Sequence, residues 1–182
     1  MSSYLDEEDS DEEGGGKGKA TIEIDPEAQR IALEEALALK TAGNTAFAAK
    51  DMDQALVHYS AAVKLLKEAH CPRDAVILLN RSATFLALKR YVPALYDANQ
   101  AGEVDPTNWK AHWRAGVALL AMTKKKFRTQ QAIEALEKCA ACPTLPADKN
   151  DEVAREIRKA RQLLERQDAE TPPADLSNCA PS

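Results

Sequence analysis

The stretch LKTAGNTAFAAKDMDQALVHYSAAVKLL, running from Leu39 to Leu66, decides the fold, because the chain repeats its pattern twice more. LNRSATFLALKRYVPALYDANQAGEVDP follows from Leu79 to Pro106; KAHWRAGVALLAM, Lys110 to Met122, continues through QAIEALEKCAACP, Gln131 to Pro143. Small residues occupy matching points: Gly43, Ala55 and Ala62 in the first unit, Ser82, Ala94 and Ala101 in the second, Gly116, Ala132 and Cys139 or Ala140 in the third. Between them fall the large residues Phe47, Tyr59, Phe85, Leu95, Leu119 and Leu136. Small positions that recur in this way mark where two helices approach closely, and recurrence every few tens of residues marks a stacked array.

With these residues the chain resembles a tetratricopeptide-repeat (TPR) array, whose period is about 34 residues. Gly43 to Ser82 is five residues too long, an excess that HCPRD (70–74) absorbs as an extended turn broken by Pro72. Ala94 to Ala132 is four too long, and KKKFRTQQ (124–131) is read as a lengthened turn inside the third unit. Loops absorb such insertions at little entropic cost. Gly and Pro are scarce between 26 and 141 while Ala and Leu abound, so the fold class is all-α. The resemblance implies three helix-turn-helix repeats, about 36–69, 75–108 and 109–147, stacked as a right-handed superhelix with a C-terminal capping helix.

The flanks read differently. Residues 1–24 form an arm expected to be disordered: MSSYLDEEDSDEE holds seven acids in thirteen residues, followed by GGGKGK. The repeat domain is placed at 25–147, its first helix opening at Asp25 as N-cap with Pro26 in the first turn. The apolar spacing Ile31, Leu33, Leu37 carries that helix into the first repeat. Beyond Pro143 and Pro146, a helix over 148–168 carries Val153, Ile157, Ala160 and Leu164 on one stripe and is expected to cap the last repeat. Residues 169–182 read as a flexible tail.

The net charge of −5 conceals a division: from 36 to 147 fifteen Lys and Arg stand against nine Asp and Glu. A basic repeat region attracts an anionic partner. No run approaches the twenty apolar residues of a membrane span, and MSSYLDEE is not a signal peptide. The composition is that of an intracellular protein with reduced thiols, placed by default in the cytoplasm, with the nucleus also open.

Five polar residues share one phase of the repeat: Lys40, Asn44, Asn80, Lys110 and Arg114. Lys40 with Asn44, and Lys110 with Arg114, are four apart and so share a helix face. Asn is a poor helix-interior residue, yet Asn44 and Asn80 fall inside helices. Three cations and two neutral donors suit a residue bearing two carboxylates, through charge-assisted and forked hydrogen bonds. Phe47 and Ala83 offer an apolar wall beside them. GN at 43–44, NRSA at 80–83 and KAHWR at 110–114 are similar to the inner-helix motifs of chaperone-binding TPR proteins. That resemblance implies a dicarboxylate clamp, these five residues holding the terminal Asp of the EEVD tail of heat-shock protein 90 or 70. It implies a monomeric, non-enzymatic adaptor without cofactor, metal, nucleic acid or membrane.

Other signals are weaker. Cys139-Ala-Ala-Cys142 has redox or metal spacing, but a zinc site needs a second pair. The glycine run lacks the phosphate-loop spacing. His112 is read as lining or flanking the groove, and KKKFR (124–128) as a solvent loop with some resemblance to a nuclear or nucleic-acid patch. Ser10, followed by three acids, is a candidate phosphosite. The alternatives are a scaffold for some other acidic or targeting peptide, and a Cys-x-x-Cys redox enzyme.

Overall fold

A computed structural model of the chain describes residues 25–122 and 126–170. Among the described residues lie seven α-helices and one 3-10 turn, and no strand. The helices are α1 (Pro26–Ala48), α2 (Met52–Glu68), α3 (Ala75–Ala87), α4 (Tyr91–Val104), α5 (Trp109–Ala121), α6 (Lys126–Ala140) and α7 (Asn150–Glu170). α1 packs with α2, α3 with α4 and α5 with α6; successive pairs stack, and α7 covers α6.

Short polar side chains start most of these helices. The carboxylate of Asp25 accepts from the Glu27 amide at 2.9 Å, Asp51 from Gln54 at 3.0 Å, and Asp74 from Val76 and Ile77 at 2.7 and 3.0 Å. Asn108 accepts from Lys110 at 3.3 Å. Each cap satisfies a donor the helix leaves unpaired, a contribution of about 1 kcal/mol. The first three helices end alike. Lys50, His70 and Lys89 take φ of 62, 53 and 57°, and the next amide reaches back five residues to a helix carbonyl, Asp51 to Ala46, Cys71 to Leu66 and Arg90 to Phe85.

The small residues named above lie where the helices cross. Gly43, Ala55, Ala62, Ser82, Ala94, Ala101, Gly116, Ala132 and Cys139 are all buried, whereas Ala140 is exposed, so Cys139 is the packing residue of that pair. Ser82 adds a bond, its hydroxyl donating to the Ala94 carbonyl at 2.8 Å. A Cβ at Gly43 would lie 2.6 Å from Tyr59 Cε1, and one at Gly116 2.7 Å from Leu136 Cδ2. Tyr59 and Leu136 are themselves buried and cannot swing away. A feature with no periodic signature ties α3 to α4: Arg81 Nε and Nη2 each donate to the Asp97 carboxylate at 2.7 Å, and Asp97 is 1% exposed.

Four expectations need correction. KKKFRTQQ is not a turn throughout, because α6 includes Lys126 onward. Thr129 is buried there, its hydroxyl donating to Gln167 of α7 at 2.8 Å, and Lys126 pairs with Asp168. Ile31, Leu33 and Leu37 lie in α1 but half-exposed, and the buried positions are Ala32 and Ala36. The terminal helix begins at Asn150 after a 3-10 turn, Ala147–Lys149, and runs to Glu170, into what was read as tail. His112 does not face the groove; its Nε2 lies 3.0 Å from the Pro106 carbonyl and closes the α4–α5 turn. Ser10, the acidic arm and Cys179 lie outside the described residues.

Gly43→Leu should therefore be costly, since overpacking a filled site loses about 1–3 kcal/mol or more. Gly43→Ala should lose less, its better helix propensity returning about 1 kcal/mol. Urea unfolding followed by circular dichroism checks the order; a Leu variant as stable as the parent would mean that α1 and α2 can separate without loss.

Candidate carboxylate-binding groove

α1, α3 and α5 each contribute one line of side chains to a common face. Asn44 on α1 is the centre of its bonding. Its side-chain carbonyl accepts from the Tyr59 hydroxyl at 2.7 Å and from Asn80 Nδ2 at 2.9 Å, linking α1, α2 and α3. Tyr59 thus does more than fill the gap at Gly43. Its ring is buried, as a residue beside a glycine must be, while its hydroxyl fixes the orientation of Asn44. Burial pushes the phenol pKa up, while the amide of Asn80 and the charge of Arg114 act in the opposite direction.

Two adjoining cavities open on this face. The first, about 210 Å³, is bounded by Asn44, Tyr59, Asn80 and Arg114, with Phe47 and Ala83 as its apolar wall. The second, about 290 Å³, is bounded by Asn80, Lys110 and Arg114 together with Val76, Asn108 and Trp109. Asn80 and Arg114 belong to both. Arg114 is the electrostatic anomaly: its Nη1 is buried without a hydrogen-bond partner, and burial pulls the guanidinium pKa down to about 10. A charge withdrawn from water without a counter-ion is costly, and an arriving anion offsets that cost.

The structure therefore gathers Asn44, Asn80, Lys110 and Arg114 around two cavities that share a wall. Lys40 stands apart. It lies one turn before Asn44 on α1, lines neither cavity, and its Nζ is 3.9 Å from Asp74 Oδ2, the carboxylate that caps α3. Lys110 is exposed, with its Nζ 6.0 Å from the Trp109 ring centroid. Sequence reasoning missed Tyr59 as a polar participant and Asp74 as the partner of Lys40. A buried tyrosine needs a partner for its hydroxyl, and that signal was open to reading.

The Cys-x-x-Cys pair points away from redox chemistry. Cys139 is buried in α6 with its thiol pushed up to about 12 by burial, and burial also raises that of Cys142. A reactive thiol is lowered instead. Among the described residues no group of three His, Cys, Asp or Glu is placed to hold a metal ion.

No protein-family model matches the chain. Among curated proteins, small glutamine-rich tetratricopeptide repeat-containing protein 2 of Saccharomyces cerevisiae is 35% identical over 118 residues, 64% of this chain and 32% of the relative. The chain spans a third or less of the length of the curated relatives it matches first. Two solved structures resemble it over most of its length. The first TPR of Spaghetti (RPAP3), bound to the HSP90 peptide SRMEEVD, shares 25% identity at a TM-score of 0.62, covering 79% of this chain and 98% of that one. The TPR2B domain of yeast Sti1, in its complex with an Hsp70 peptide, shares 26% at 0.60, covering 71% and 98%. Repeat pattern, helix packing and these likenesses agree that the chain carries a tetratricopeptide-repeat domain of the kind found in heat-shock co-chaperones.

Proposed function

We propose that this domain is a non-enzymatic adaptor of the cytosol whose groove holds the C-terminal EEVD tail of a heat-shock 70 or 90 protein. The observation that carries the reading is the unpartnered, buried Nη1 of Arg114 at the wall shared by the two cavities. In this proposal Arg114 and Lys110 receive one carboxylate of the terminal Asp, and the side-chain amides of Asn44 and Asn80 orient the other. Lys40 joins by exchanging Asp74 for the peptide, an exchange made cheap by the 3.9 Å separation of that pair. Phe47 and Ala83 take the apolar residue that precedes the Asp. The peptides SRMEEVD and Hsp70 tail seen on the related domains have the chemistry this arrangement suits. No described helix is long and apolar enough to cross a membrane.

Binding should be micromolar, about −8 kcal/mol, and should require the free carboxylate. Calorimetry with SRMEEVD as the free acid and as the amide checks this. An amide that binds equally well would instead indicate a groove for internal acidic peptides.

Lys110→Ala and Arg114→Ala should each weaken that binding about 10- to 100-fold, since a hydrogen bond to a charged group contributes about 1.5–3 kcal/mol. Neither side chain has an ion partner among the described residues, and Arg114 carries an uncompensated desolvation cost, so the thermal midpoint should not fall. A large loss of melting temperature in Arg114→Ala would make that residue structural.

Tyr59→Phe keeps the ring that fills the space beside Gly43 and removes only the donor to Asn44. It should cost about 1 kcal/mol of stability and weaken the peptide several-fold. Unchanged affinity in the same titration would remove Tyr59 from the site.

A further inference from the structure

A cavity of about 450 Å³, larger than either cavity of the groove, lies on the opposite side of the domain. Leu78 and Arg81 of α3 line it, and at 100° per residue they sit across the helix from Asn80 and Ala83. Val63 and Leu66 of α2 form its other apolar wall, and Tyr96 of α4, 62% exposed, stands along its edge. Although about half its lining residues are polar or charged, the surface they turn into the cavity is mostly apolar, an unusual surface to leave in water.

Three observations bear on what covers it. First, the charged groups at its mouth are mostly cationic. Lys67 has no ion partner among the described residues, and Arg73 is held only by the exposed Glu103, at 3.0 Å, and by Gln100. Arg81 is already paired with Asp97, and Asp74 is the single carboxylate of the lining. Second, the chain preceding α1 emerges beside this mouth. Gln29, in the first turn of α1, donates to the carbonyls of Ala69 and His70 at 3.3 and 3.0 Å, and its own carbonyl lies 3.7 Å from the Cys71 thiol. His70 and Cys71 are part of the cavity rim. Third, the preceding sequence has matching chemistry: Tyr4-Leu5, two adjacent large apolar residues, then Asp6, Glu7, Glu8 and Asp9.

We propose that residues 4–13 of this chain seat in this cleft, Tyr4 and Leu5 against its apolar walls and the acids against Lys67 and Arg73. The link is long enough. Twenty-one residues separate Leu5 from Pro26, and a linker of that length reaches about 25 Å root-mean-square by coil statistics, while its fixed end already lies beside the rim. Tethering of this kind supplies an effective concentration of millimolar order, so weak contacts suffice for occupancy. This seat is on the face away from the groove and does not depend on the tail-binding reading.

Cys71 is half-buried at the rim and reports on the cleft directly. Maleimide labelling of the full-length chain, resolved by mass spectrometry, gives its rate with Cys142 as an internal reference. Tyr4→Ser/Leu5→Ser should speed Cys71 labelling several-fold and leave Cys142 unchanged. Lys67→Glu should also speed it, and the three substitutions together should be no faster than the first two. An equal Cys71 rate in the parent and in Tyr4→Ser/Leu5→Ser overturns the proposal. So does a parent rate that falls with protein concentration, which would mean that a second copy covers the cleft. Tighter SRMEEVD binding by Tyr4→Ser/Leu5→Ser without change at Cys71 also overturns it, by placing the acidic segment in the groove.

Discussion

Everything in this domain depends on how closely the two helices of a pair can approach. With no Cβ at Gly43 or Gly116, the ring of Tyr59 and the branch of Leu136 lie directly on the facing backbone. That approach sets the position of each inner helix relative to its outer partner, and so the position of every groove side chain. The hydroxyl of Tyr59 can reach Asn44 only because its ring rests on Gly43, one residue earlier. Packing and polar geometry are here one constraint: a side chain chosen for its shape also places a donor.

The groove itself is a balance of satisfied and unsatisfied polarity. Asn44, Asn80 and Tyr59 bond one another and hold their positions with no ligand present. Arg114 has a buried nitrogen with nothing to donate to. Preorganised amides beside an uncompensated cation form a site whose cost was met during folding, and an anion can recover part of it on arrival. Lys40 contributes differently, since it leaves an existing partner to join.

Much of this was legible in the sequence, and the reason is periodicity. Small residues at crossing points and polar residues in one phase of a repeat leave a regular trace, so Ala55, Ala94 and Ala132 could be placed without coordinates, and so could the shared face of Asn44, Asn80 and Arg114. Pairings across elements leave no such trace. Arg81 with Asp97 joins residues sixteen apart on two helices, and Lys40 with Asp74 joins different repeats. The start of α6 was misread because KKKFR is polar and charged, and its helix depends on tertiary contacts with α7, Thr129 to Gln167 and Lys126 to Asp168. Ile31, Leu33 and Leu37 define no buried stripe because Ile31 and Leu33, two apart, fall on opposite sides of the helix, and the covered positions are Ala32 and Ala36, four apart.

Almost all packing joins a helix to its neighbour in the chain, with lesser contact among the inner helices α1, α3 and α5. Such local topology favours fast folding, and it lets an array open from its ends one pair at a time. The face carrying Asn44, Asn80 and Arg114 draws on all three pairs, so fraying at either end dismantles it while most of the helix remains. α7 is consequently more than a cover for α6. By holding the last pair closed it keeps Lys110 and Arg114 in register with residues two repeats away, and protease resistance and ligand competence in this domain should rise and fall together.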